Sequence, residues 1–290
     1  MNFLQRIFGS AEESPEEKKK ETEARQFDAL KYDGIAALKI GQVDYAVTCF
    51  SHALQLQDDL EIHDHLSVAY IHQNQMANAV NELRLLADAQ PDNQAVWVRM
   101  ARVCYMMEDY DQMAEACERA EAVGAGSAEV SYLYAEARQG QGDKEAAVAL
   151  LGEAIARDEH HGAAYLLRGQ ILMEMDRLEE AETDADYLLE HADLEEDIVL
   201  LKARIAHRGG DQQKAVEWYG RVIDTNPFCL AAFRERAEVY REMGETQLSE
   251  AAAAELEPKE MADISDGQSA EGIEQKTKEA YKNTLNPFGL

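Results

Sequence analysis

The chain has 290 residues, 46% of them hydrophobic, and carries 28 Lys+Arg against 57 Asp+Glu, a formal net charge of −29. That apolar content excludes a wholly disordered chain, and the acidic balance repels nucleic-acid phosphate and anionic lipid, so neither is expected as a partner. With only 5 Pro and 17 Gly, the composition leans towards helix throughout.

Residues 1–26 read as a leader of their own. Phe3, Leu4, Ile7 and Phe8 give one short apolar face, which Gly9 and Ser10 interrupt. Ser14-Pro15-Glu16-Glu17 is a helix start: a capping serine, a proline at the first helical position and a glutamate three residues after the cap. Glu21 and Arg25 are four apart and support a solvated helix that continues past residue 26.

From Phe27 a helix–turn–helix pattern begins and recurs. Aligned on their turns, the units start at Phe27, Leu60, Gln94, Ala128, Gly162, Glu196 and Leu230, which is a spacing of 33 once and then 34. The eighth place is always small: Gly34, Ser67, Ala101, Ala135, Gly169, Ala203, Ala237. The twentieth is Ala46, Ala79, Met113, Ala147, Ala181, Ala215 and Ser249. Small side chains belong where the two helices of a hairpin cross closely. The fifteenth place, Gly41, Asn74, Glu108, Gly142, Asp176, Gly210 and Gly244, is the turn; all but Glu108 suit a left-handed exit from a helix, so the third turn is expected to differ. The fourth place is bulky in Leu30, Trp97, Tyr165, Val199 and Phe233, with His63 and Ser131 as departures.

A 34-residue unit with a bulky residue, a small one, an aromatic, an alanine and a closing proline resembles the tetratricopeptide repeat. Trp97…Ala101, Tyr165…Gly169…Ala181 and Gly210-Asp211…Ala215…Tyr219…Pro227 carry the resemblance most clearly. It implies an all-α, right-handed superhelical solenoid of seven repeats over 27–256, whose first helices line a concave groove and whose role is to hold proteins together. Residues 257–290 leave the pattern. A helix over 269–284 is expected to cap the last hairpin, followed by an apolar tail from Leu285 to Leu290.

In that register the fifth, ninth and twelfth places face the groove. Five of those twenty-one residues are basic (Lys31, Arg102, Arg204, Arg234, Arg241) and three acidic (Asp64, Glu136, Glu238). The expected peptide-binding strip lies between the third and sixth repeats: Arg102, Tyr105, Tyr132, Leu166, Gln170, Met173, Leu200, Arg204 and His207. The expected function is an adaptor that binds an apolar partner segment bearing an acidic group. The alternative is a structural subunit whose groove is filled by its own tail or by a second copy, as a homodimer. Of the five-residue clamp with which some tetratricopeptide proteins grip a chaperone's terminal carboxylate, Lys31 and Arg99 match, while Ile35, His65 and Ala95 do not.

No P-loop, dinucleotide fingerprint, GxSxG or HExxH occurs, and neither an enzyme nor a cofactor is expected. His63 and His65 point about 200° apart on a helix and do not share a metal. Cys49, Cys104, Cys117 and Cys229 lack metal-ligand spacing and read as buried thiols of a reducing compartment. No apolar run reaches the roughly 20 residues that span a bilayer. MNFLQRIFGS has no secretory core, and the expected location is cytoplasmic.

Overall fold

A computed structural model describes residues 14–124, 126–191 and 196–254. The leader's apolar face, the expected capping helix and the terminal tail lie outside the described residues. Within them the chain forms fourteen helices and no strand. In chain order these are α1 (Pro15–Lys39), α2 (Val43–Leu56), α3 (Leu60–His72), α4 (Met76–Ala89), α5 (Gln94–Met106), α6 (Tyr110–Val123) and α7 (Ala128–Gly140). There follow α8 (Lys144–Arg157), α9 (Gly162–Glu174), α10 (Leu178–His191), α11 (Glu196–Arg208), α12 (Gln212–Thr225), α13 (Leu230–Glu242) and α14 (Thr246–Ala254). Odd-numbered helices open the hairpins, and from α3 onward each opens at the residue the register predicts. The chain divides into two compact units, up to Val96 and from Trp97, with the boundary in the first turn of α5.

Helix α1 is long because its N-terminus is capped well before the first repeat. Ser14 accepts from the Glu17 amide and the Glu17 carboxylate accepts from the Ser14 amide, at 3.2 and 2.7 Å. Both are donors that would otherwise be orphaned at a helix start. Arg25 and Glu21 pair at 2.6 Å along its exposed face.

All seven turns are built alike. The residue at the fifteenth place has positive φ in every hairpin, from 57° at Glu108 to 83° at Gly142. The next residue's amide reaches back to the carbonyl five residues earlier, as in Gln42 to Ala37, Asp143 to Arg138 and Asp211 to Ala206. This closure satisfies carbonyls that the helix end leaves free. The expectation that Glu108 marks a different turn is corrected: its φ is 57° and Asp109 N–H bonds Cys104 O at 3.0 Å, as elsewhere. The repeated packing on either side holds Glu108 in a conformation that costs an L-residue about 1–2 kcal/mol. Aspartates directly after three of these turns then cap the second helices: Asp109, Asp143 and Asp211 accept from Gln112, Ala146 and Lys214 amides.

The small-residue columns are the crossing points. Ser67, Ala101, Ala135 and Ala203 at the eighth place and Ala79, Met113, Ala147 and Ala215 at the twentieth are all fully buried, and Ala135 with Ala147 and Ala203 with Ala215 share a core. At Gly34 an added Cβ would sit 2.6 Å from the ring of Phe50, itself wholly buried. The two departures at the bulky fourth place are buried polar residues with partners, as burial demands. His63 bonds Glu82 at 2.5 Å and Asp58 at 2.9 Å. Ser131 accepts from the Arg157 guanidinium, which also pairs with Glu121 at 3.7 Å.

The four cysteines are buried as thiols. Burial pushes the Cys117 thiol well above its ordinary range, and burial with the Glu196 carboxylate raises Cys229 to about 11. Neither is therefore a nucleophile at neutral pH.

Candidate functional site

The second unit carries the whole expected strip. Its first helices lie side by side, as shown by side chains that cross from one to the next. Arg102 on α5 pairs with Glu129 on α7. Arg204 on α11 holds Glu235 on α13 through three hydrogen bonds, Nε to Oε2 at 2.9 Å and to Oε1 at 3.2 Å, and Nη2 to Oε1 at 2.7 Å. The buried Tyr219 hydroxyl donates to that same Oε2 at 2.9 Å, and His207 Nε2 lies 2.9 Å from Glu242. The carboxylate holds the Arg204 guanidinium above its usual range, while burial and that carboxylate raise the Tyr219 hydroxyl. Partners of opposite charge one repeat apart thus tie successive hairpins together, and Lys31 does the same in the first unit with Asp59 and Glu61.

These pairs change the reading of the strip. Arg102 and Arg204 stand where the register puts them, but each already has a carboxylate in the chain and is bound to the next repeat. The expected acidic group on a partner would have to displace Glu129 or Glu235. Leu200 is a second correction: it is only 7% exposed and packs in a core with Val199, Ala203 and Tyr219. Its neighbour Lys202 is also buried and pairs with both Glu182 and Asp186 of α10, a second inter-repeat tie.

The rest of the strip is apolar and neutral. Tyr105, Tyr132, Leu166, Gln170 and Met173 are each half-buried on three consecutive first helices, α5, α7 and α9. Leu166 and Met173 rest on the core of Leu172, Ala181 and Leu201, which fixes their position while leaving one side uncovered. The Tyr132 ring stacks on His161, which in turn accepts the Ala164 amide to cap α9.

One residue of the same columns is more unusual than any on the expected strip. Glu136, at the ninth place of the fourth repeat, is only 9% exposed. Burial pushes its carboxyl up to about 7, against the opposing effects of a hydrogen bond from Tyr132 and the Arg102 charge. Its Oε2 is buried with no hydrogen-bond partner, and so is Arg102 Nε. The spacing places Glu136 on this wall, but burial at a column position shared with arginines is not visible in a single sequence.

Among the described residues no group of three or more His, Cys, Asp or Glu is placed to hold a metal ion. No helix among them is long and apolar enough to cross a membrane.

The uniform hairpins, left-handed turns and small-residue crossings define an all-α repeat solenoid. Residues 138–205 match the tetratricopeptide repeat family. Solved structures of similar fold include PilW, a type IV pilus biogenesis factor, at a TM-score of 0.60 and 16% identity, covering 75% of this chain and 97% of that one. The C-terminal part of a repeat-containing protein from Cytophaga hutchinsonii aligns at a TM-score of 0.59 and 15% identity, over 79% and 90%. Pseudomonas aeruginosa PilF aligns at 0.56 and 16%, over 75% and 99%. At these identities the likeness is one of fold. A comparison with curated protein sequences finds no match.

Proposed function

We propose that this chain is a protein-interaction adaptor, not an enzyme, and that it holds a partner's peptide segment against the first helices of its second unit. The observation that carries the reading is the set of half-buried side chains Tyr105, Tyr132, Leu166 and Met173, each partly exposed, on three adjacent first helices. Aromatic and methionine side chains give adaptable contact area, the kind enriched at recognition surfaces. The ion-paired arginines set the spacing of this wall and do not serve as its anchors. Four buried thiols support a reducing, cytoplasmic setting. The test is a pull-down from native extract with the intact chain and with Leu166→Ser/Met173→Ser. Partners recovered by the first and lost by the second support the site; equal recovery by both contradicts it.

A second reading, self-association, is favoured by a different observation. Tyr32 and Ile40 on the first hairpin are 68% and 69% exposed, with Tyr45 on the same hairpin at 52%. Light scattering over a micromolar concentration series, with Tyr32→Ser/Ile40→Ser as the comparison, decides it: a dimer that the substitutions dissolve supports this reading, and a monomer throughout ends it.

A further inference from the structure

Buried polar atoms in a folded protein almost always have hydrogen-bond partners, and an unmet one destabilises the fold. Few such atoms occur among the described residues, and two of them stand on neighbouring first helices at the ninth place of successive repeats. They are Arg102 Nε, a donor, and Glu136 Oε2, an acceptor. They are near enough for the Arg102 charge to act on the Glu136 carboxyl. The rest of each group is engaged: Arg102 Nη2 with Glu129, and the Glu136 side chain with the Tyr132 hydroxyl. Half-exposed Tyr105 and Tyr132 flank the pair, and apolar Leu166 and Met173 continue the wall on α9.

We infer that this pair is the polar contact of the proposed peptide site, and that it takes an uncharged amide of the partner. The amide's carbonyl would accept from Arg102 Nε–H and its N–H would donate to Glu136 Oε2. The inference rests on the adaptor reading and specifies its ligand chemistry. A cationic partner group would meet the Arg102 guanidinium, and an anionic one would meet the Glu136 carboxyl. A neutral group that both accepts and donates satisfies both atoms. Such a group comes from an Asn or Gln side chain or from the peptide main chain, in each case beside apolar residues that cover Leu166 and Met173. A site that keeps two polar atoms unsatisfied in the free protein is less stable than an apolar replacement would be, which gives the inference a readout apart from binding.

The experiment pans a phage library of random peptides on the immobilised full chain, then measures selected peptides against the chain, Glu136→Met, and Leu166→Ser/Met173→Ser. The expected result is a set of apolar peptides with Asn or Gln at one shared position, bound about ten-fold more weakly by Glu136→Met, while that variant unfolds at higher urea than the parent. The same loss without a residue preference at that position assigns the amide to the main chain. Acidic or basic residues enriched there overturn the inference. So do peptides that Leu166→Ser/Met173→Ser releases but Glu136→Met holds as tightly as the parent; in that case the pair is an internal strut and the adaptor reading stands. Peptides held equally by all three chains, or a library that yields none, contradict the adaptor reading itself.

Discussion

Glu136→Gln should stabilise the second unit in a way that depends on pH, and the sign follows from the direction of its shift. Burial raises the folded carboxyl from an ordinary 4.5 to about 7. Between those values the folded chain keeps a proton that the unfolded chain releases, so stability falls as pH rises through this window and levels off above it. At about 1.4 kcal/mol per pH unit, the full penalty reaches about 3 kcal/mol by pH 8 and is absent near pH 4. The groups acting on Glu136 are Arg102 on α5 and Tyr132 on its own helix, while Tyr105 on α5 and Cys117 on α6 feel its charge in turn. Elsewhere Asp59, held by Lys31, and Asp176, held by Arg208, are shifted the opposite way and lose stabilisation as pH falls. The gap between parent and Glu136→Gln cancels such groups, because both chains carry them. Urea unfolding followed by tryptophan fluorescence suits the purpose, since both tryptophans, Trp97 and Trp218, lie in the unit that holds Glu136. The gap should widen by about 3 kcal/mol in favour of the variant between pH 4.5 and pH 8. A gap that stays constant across that range refutes the argument from burial.

Three further outcomes rest on the packing. Gly34→Ala should destabilise the first unit by about 1–3 kcal/mol, because its Cβ meets the wholly buried Phe50 ring; an unchanged melting curve would contradict the close crossing. Glu108→Gly should stabilise by about 1 kcal/mol by releasing a left-handed residue, and a lower melting temperature would show that the Glu108 side chain has a role the turn geometry does not give it. Glu235→Ala leaves both Arg204 and buried Tyr219 without their shared acceptor and should cost about 1–3 kcal/mol, with faster amide exchange in α11–α14 than in α7–α10; uniform exchange would mean the tie is not structural.

The hairpins are legible in the sequence because their constraints repeat: a left-handed turn and a close crossing demand small or φ-tolerant residues once every 34 positions. Glu108 escapes that logic since tertiary packing, and not its own preference, sets its φ. The polar departures are legible as positions but not as partners: a histidine at the place of His63 must be satisfied, yet neither Glu82 nor Arg157 announces itself in the repeat. The strip is legible as a set of places on first helices. Its charge balance is not, because a sequence shows that Arg102 and Arg204 are cations but not that Glu129 and Glu235, one repeat on, already neutralise them. Leu200 and Glu136 exchange importance for a related reason, since residues in one column of a repeat are buried to different depths by their neighbours.

The central claim is that partners lie against the first helices of the second unit. Site-specific photocrosslinking tests it most directly, with a benzophenone amino acid placed at Gln170 on α9 or at exposed Glu179 on the second helix α10, and irradiation in native extract. The account predicts a discrete crosslinked partner from Gln170, lost when Leu166→Ser/Met173→Ser is added, and none from Glu179. Crosslinks from Glu179 with none from Gln170 would place the binding surface on the second helices and contradict it.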